Sequence, residues 1–268
     1  LRPARHGQDV RRQNFRARNQ LRKPRKRLPL RQMRNVQGAC RGQQSGHIRN
    51  RRGLKQRRRR NARFEGEGAE YFQKFGYALQ KRKRYAEAIE AYLKADTLKP
   101  DNIWNNRHLA TCYRLNRNYE AALTYYKKVE EATPEASTAV FYIGSCLAEL
   151  GQYEEALNYF FKLDFIESNC VKAWRGIGWC SFISLKYEQA MKYYEKIIEH
   201  KPLAIDYMNA GHVAWVMGNI QKAAVLYGKA ITACGTRERF LEMFHKDEEP
   251  LLKQGIREED IPLMLDLL

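Results

Sequence analysis

The sequence predicts an all-α protein built from stacked helix pairs, and three observations carry that prediction. Tyr85, Tyr119, Tyr153 and Tyr187 recur at one constant interval, as do Ala88, Ala122, Ala156, Ala190 and Ala224. An aromatic column, Tyr92, Tyr126, Phe160 and Tyr194, keeps this spacing and ends at Gly228. A proline column follows at Pro100, Pro134 and Pro202, with Ser168 in the gap. A single period of about 34 residues, held over five cycles, is the mark of a repeat architecture.

Each cycle reads as two helices, with cycles at about 69–102, 103–136, 137–170, 171–204 and 205–238 inside a domain spanning 65–238. In the first, Tyr85–Leu98 places Tyr85, Ala88, Ile89, Tyr92, Leu93 and Ala95 at the 3.6-residue period of an amphipathic helix. Pro100 ends it, because proline lacks the N–H that would continue the ladder and restricts the residue before it. The preceding half, Tyr71–Gln80, has Phe72, Phe75 and Leu79 at the same period, with Gly76 on a small-residue face. Gly76, Ala110, Gly144 and Gly178 form a small column where the helices of a pair approach closely. His212 takes that place in the fifth cycle, which predicts looser packing there. Residues 239–268 read as a helical cap. Leu241, Phe244 and His245 share a face, Pro250 is a break, and a last helix starts at Asp260 with Pro262 harmless in its first turn. A terminal repeat needs such a segment to hide its last apolar face.

These columns resemble the tetratricopeptide repeat (TPR) family, whose pattern is a large apolar residue, a Leu-Gly pair, Tyr, then Ala, an aromatic, Ala and Pro. The fourth cycle shows Trp174, Ile177, Gly178, Ala190, Tyr194, Ile197 and Pro202; the third shows Ile143, Gly144, Gly151, Tyr153, Ala156 and Phe160. The resemblance covers about 170 of 268 residues and departs in the fifth cycle, where Gln221 and Gly228 replace the usual aromatics. It implies a right-handed superhelix of about five antiparallel helix pairs. It also implies a concave groove, walled by the first helix of each pair, in which extended peptides lie. By family register the wall comprises Tyr77, Trp104, Arg107, His108, Thr111, Arg114, Phe141, Tyr142, Lys172, Arg175, Trp179 and Phe182. Aromatic and arginine side chains dominate binding interfaces, and here they suit a peptide or protein with apolar anchors and some acidic character. Trp104 and Trp179 are equally compatible with packing between repeats. The implied function is a non-catalytic protein–protein interaction scaffold or adaptor. Some family members clamp a C-terminal carboxylate with Lys and Asn. Here only the charges at Arg107 and Lys172 are kept, with Thr111, Tyr142 and Gly176 in the other places, so a chaperone-tail ligand is not expected.

No catalytic, metal or cofactor constellation accompanies the repeats. HExxH, GxSxG, P-loop and GxGxxG patterns are absent, and Gly176-Ile177-Gly178 falls inside a predicted helix. Cys112, Cys146 and Cys180 share the interval of the other columns. Stacked layers separate such positions by roughly 10 Å, too far for a shared metal or a disulfide. They read as small core residues.

The charge is lopsided. The 268 residues carry a formal +19, yet residues 1–64 hold 23 Lys+Arg, 20 of them Arg, against one acid, Asp9. The remainder holds 26 basic and 29 acidic residues. This basic arm has few apolar residues and no period, which predicts disorder. One reading makes it a nucleic-acid or ribosome-binding arm through Arg25, Lys26, Arg27, Arg57, Arg58, Arg59 and Arg60, although Phe15 alone offers a base-stacking ring. A second reading makes it the product of a wrong upstream reading frame, and a third a folded basic domain. The Leu start and the apolar end, Ile261–Leu268, suggest a piece of a longer protein, of which this would be the C-terminal interaction part. No apolar run approaches a membrane span, and the N-terminus lacks a secretory apolar core. With six cysteines and no CxxC pair, the default expectation is the cytoplasm.

Overall fold

The computed structural model describes residues 51–268. Arg25, Lys26 and Arg27 lie outside the described residues. The chain divides into two units, Leu1–Phe64 and Glu65–Leu268, and its described secondary structure is entirely helical. Helix α1 spans Arg51–Lys81, α2 Tyr85–Leu98, α3 Ile103–Leu115, α4 Tyr119–Ala132, α5 Ser137–Glu149, α6 Tyr153–Ile166 and α7 Val171–Ile183. Helix α8 spans Tyr187–Ile198, α9 Ala204–Val216, α10 Ile220–Cys234, α11 Arg237–Phe244, α12 Glu248–Lys253 and α13 Asp260–Asp266. No helix among the described residues is long and apolar enough to cross a membrane.

The turns inside each pair explain the period. Lys83, Arg117, Gly151, Leu185 and Gly218 all adopt left-handed backbone, with φ between 59° and 80°. The following amide closes each helix end: Arg84 N–H donates to Leu79 O (3.1 Å), Asn118 to Tyr113 O (2.9 Å), Gln152 to Leu147 O (2.9 Å), Lys186 to Ser181 O (2.8 Å) and Asn219 to Ala214 O (2.9 Å). This Schellman arrangement satisfies carbonyls that the helix end leaves free. Asn118 and Asn219 then cap the next helix through their side chains.

Between the fourth and fifth pairs the spacing contracts by one position, as from Leu185 to Gly218. The contraction corrects the expectation for the fifth cycle. Gly211, not His212, occupies the small position, and a Cβ there would lie 2.5 Å from the Tyr227 ring. Tyr227, not Gly228, continues the buried aromatic column, and Ala223, not Ala224, lies fully buried beneath it. The fifth pair is therefore tightly packed. The same close approach recurs at Gly76 against Tyr92, Gly144 against Phe160 and Gly178 against Tyr194, each at 2.9–3.0 Å. Gly176 adds a close approach between pairs, where a Cβ would lie 2.6 Å from the Phe160 ring. Cys112, Cys146 and Cys180 are free and buried, and burial pushes their thiols up to about 12, 11 and 12.

Two further expectations are corrected. Residues 51–64 are not irregular: they form the first turns of α1. Arginine is a good helix former, and extending an existing helix avoids the cost of nucleation. Pro250 does not break a helix but stands in the first turn of α12, where its missing N–H costs nothing. The break precedes it, at residues 245–247.

The first pair differs from the others on one face. Tyr71 and Phe75 of α1 are each 49% exposed and stack at 6.3 Å. Their counterparts Leu109, Ile143 and Ile177, and Ala139 and Ala173, are buried against the preceding pair.

Candidate functional site

The first helices of the pairs, α1, α3, α5, α7 and α9, carry the predicted wall, and the structure sorts its residues into three groups. The first bridges α1 and α3. Tyr77 and Trp104 are exposed and their rings lie 6.2 Å apart. His108 sits between them, 4.0 Å from Trp104 and edge-on to Tyr77 at 5.4 Å. Gln80 holds the floor: its Oε1 accepts from the Tyr92 hydroxyl at 3.0 Å and lies 2.9 Å from His108 Nδ1. Partial burial, with Arg107 and Lys81 adding repulsion, holds the His108 imidazole below its usual pKa. Arg107 is exposed and makes no ion pair among the described residues. An open aromatic shelf beside an uncommitted guanidinium is suited to an apolar anchor and a carboxylate.

The second group bridges α3, α5 and α7. The Arg114 guanidinium lies over the Tyr142 ring at 4.4 Å, and Tyr142 stacks on Tyr126 at 5.2 Å. Thr111 Oγ1 is 3.1 Å from the Tyr126 hydroxyl. Phe141 is half-buried next to Tyr142, with the exposed Lys172 ammonium 5.9 Å from its ring. These cation–π contacts hold the basic side chains against the wall, Lys172 exposed and Arg114 partly buried.

The third group is occupied by the protein itself. Arg175 forms a two-bond ion pair with buried Asp206, 2.7 Å in each bond, and Asp206 also accepts from Leu203 N–H at 2.7 Å. Phe182 is not a groove residue. It is 1% exposed, in the core cluster that holds Trp215, Phe240, Phe244 and Leu251. Trp179 packs half-buried against that cluster, 5.8 Å from Phe182. Trp174 is fully buried, donates from Nε1 to Asp164 at 2.6 Å, and lies under the Lys196 ammonium at 4.3 Å.

Of the basic arm, Arg57–Arg60 are exposed on α1. Four successive helical residues at intervals of about 100° point to all sides, so they do not form a stripe that could track a phosphate backbone.

Sequence reasoning misses His212 as a site residue, because a register one position too long places it in the small column. The adjacent pairs Gly211-His212 and Tyr227-Gly228 are the signal that could find it. The ring is fully buried, its Nδ1 is 2.8 Å from the Tyr227 hydroxyl, and its Nε2 is 3.5 Å from Asp247. Burial lowers its pKa, opposed by the hydrogen bond and charge of Asp247.

Models of the tetratricopeptide repeat match residues 69–102 and 110–164. No curated protein sequence matches significantly. Among solved structures, the chain is similar to the 41-end fragment of MamA from Desulfovibrio magneticus RS-1, with a TM-score of 0.60 and 16% identity, over 63% of this chain and 96% of that one. It is similar to YrrB, a TPR protein with an unusual peptide-binding site, with a TM-score of 0.55 and 22% identity, over 65% of this chain and 90% of that one. A third likeness is to TTC0263, a thermophilic TPR protein in Thermus thermophilus, with a TM-score of 0.52 and 14% identity, over 66% and 97%. At such identities the likeness is one of fold. The matched repeats place the chain in the tetratricopeptide repeat family, and the left-handed turns and glycine–aromatic contacts continue the repeat pattern into the fifth pair.

Proposed function

We propose that the protein is a non-catalytic adaptor that binds a peptide segment of a partner protein along its concave wall, with apolar anchors and carboxylates on the ligand. The carrying observation is Trp104, 41% exposed on the wall and held by Tyr77 and His108 beside Arg107. An exposed tryptophan backed by other rings offers a large contact area with little ordering cost. Arg107, Arg114 and Lys172 supply positive charge along the same wall. A relative in fold, YrrB, has a peptide-binding site, which supports the reading. We place the adaptor in the cytoplasm, on the support of five free cysteines among the described residues.

Selection of peptides from a randomised dodecapeptide library on the full chain tests this. Enriched peptides should carry Phe, Trp or Leu near Glu or Asp. Trp104→Ala should weaken the tightest of them by about 10-fold or more. No enrichment, or binding unaffected by Trp104→Ala and by Arg107→Glu, would overturn the reading.

A further inference from the structure

The wall is not equally open along its length. Reading one wall position from pair to pair gives Tyr77, Thr111, Ser145, Trp179 and His212, and a second gives Gln80, Arg114, Ala148, Phe182 and Trp215. In the first three pairs these positions are exposed or partly exposed. In the last two, Phe182, His212 and Trp215 fall to 1%, 0% and 6%.

The chain's own C-terminal segment covers them. Helix α11 packs where a sixth first helix would begin, with Phe240 and Phe244 against Tyr227 at 5.7 and 5.6 Å. Instead of continuing, the chain bends after Phe244 and runs back across the wall. Phe244 lies 5.4 Å from the His212 ring, and Asp247 reaches His212 Nε2. Leu251 is fully buried in the cluster that contains Phe182. Gln254 then ties the segment to the fourth pair. Its Oε1 accepts from the Tyr187 hydroxyl at 2.8 Å, and its Nε2 donates to Ile183 O at 3.4 Å.

We propose that residues 244–254 are a built-in occupant of the C-terminal half of the groove, and that a partner peptide is confined to the wall of the first three pairs. This rests on the peptide-binding reading above and deepens it by setting where the ligand lies and how long it is. Three first helices at about 10 Å spacing span roughly 20–30 Å, which holds about 6–9 residues of extended chain. The ligand's anchor meets Tyr77 and Trp104, and its carboxylates meet Arg107 and Arg114. Trp179 and Phe182 take no part.

Hydroxyl-radical footprinting of the full chain tests closure without any ligand. Tyr77 and Trp104 should oxidise readily, and Phe182 and Trp215 about 10-fold more slowly. Leu251→Asp should raise oxidation of Phe182 and Trp215 at least about five-fold, with helicity by circular dichroism nearly unchanged. If that variant loses its helices, Gln254→Ala, which removes two hydrogen bonds and no core atom, should raise it about two-fold. Unchanged oxidation of Phe182 and Trp215 in a folded variant would overturn the closure. The tightest dodecapeptide from the selection then serves as probe. It should protect Tyr77 and Trp104 in the native chain and leave Trp179 unprotected, and protection of Trp179 would overturn the confinement. Failure to select any peptide counts against the peptide-binding reading alone, because the ligand-free comparison still decides the closure.

Discussion

The two halves of the groove share one architecture and differ in what covers it. In the first three pairs, Trp104 and Tyr77 stand in solvent on a shelf floored by Tyr92 and Gln80. In the last two, Phe182 and Trp215 stand in the wall column of Gln80 and Arg114 and lie in the core, under a segment that begins more than sixty residues after Phe182. The residue types are alike, so aromatic character on a wall helix does not tell ligand anchor from core. What tells them apart is whether another part of the chain arrives. Burial of a large ring is worth more than almost any surface contact, and a nearby segment with a free apolar face will take it.

The greatest effect is expected from truncating one buried core tryptophan and one exposed wall tryptophan. Trp174→Ala should cost about 3–5 kcal/mol of stability in urea unfolding, as a fully buried ring leaves a cavity and strands the Asp164 carboxylate. Trp104→Ala should cost less than about 1 kcal/mol there while losing peptide affinity. Comparable stability losses in the two variants would place Trp104 in the core.

Next comes the contraction before the fifth pair. Gly211→Ala should destabilise by about 1–3 kcal/mol, because the new methyl group would lie 2.5 Å from the Tyr227 ring. Gly144→Ala meets Phe160 at 3.0 Å, in a column where Ala110 is native, and should cost less. Thermal melts of both variants compare the pairs directly. A harmless Gly211→Ala would mean that His212 is the close-packed residue after all.

Acid should loosen the closed half through His212, and the shelf of the open half through His108, whose pKa is lowered as well. His212 faces Tyr227, Phe244 and Asp247, and its folded pKa lies below the ordinary 6.5. The unfolded chain therefore binds more protons below that pH, so stability rises with pH. The contribution is complete above 6.5 and is lost as pH falls toward the folded pKa, at a limiting slope of about 1.4 kcal/mol per unit. Unfolding free energies measured between pH 7.5 and 5 should show this decline, and His212→Gln should reduce its slope, leaving the part due to His108. A variant that keeps the full slope would assign the titration elsewhere.

The smallest effect concerns the turns. Leu185 holds φ 61° while exposed, where Gly151 and Gly218 hold similar angles without a side chain. Leu185→Gly should stabilise by up to about 1 kcal/mol, relief of left-handed strain outweighing the greater freedom of the unfolded glycine. A fall in melting temperature would show that the exposed leucine has a contact worth more than the strain.

The repeats were legible because their determinants are local. The columns place the second helix of the first pair at Tyr85–Leu98, and the structure has it with those bounds. The cysteine column reads as core for the same reason: a strict period assigns each residue to one face. The family register also put Tyr77, Trp104 and His108 on the first helices of their pairs, and the structure brings their rings together. The contraction was hidden by coincidence. Ala223 and Ala224 are both alanine, so the older spacing seemed to continue.

By itself, then, the sequence determined an array of helix pairs with one period over its first four cycles and a resemblance to one family, because hydrophobic period and proline stops act over a few residues. Only the tertiary structure decided that the fifth pair is shifted by one position, that Arg175 is committed to Asp206, and that half of the wall is closed. The last two outcomes depend on contacts between residues 31 to 71 positions apart. A helical period records which face of a helix is apolar, and it carries no record of which distant segment comes to cover that face.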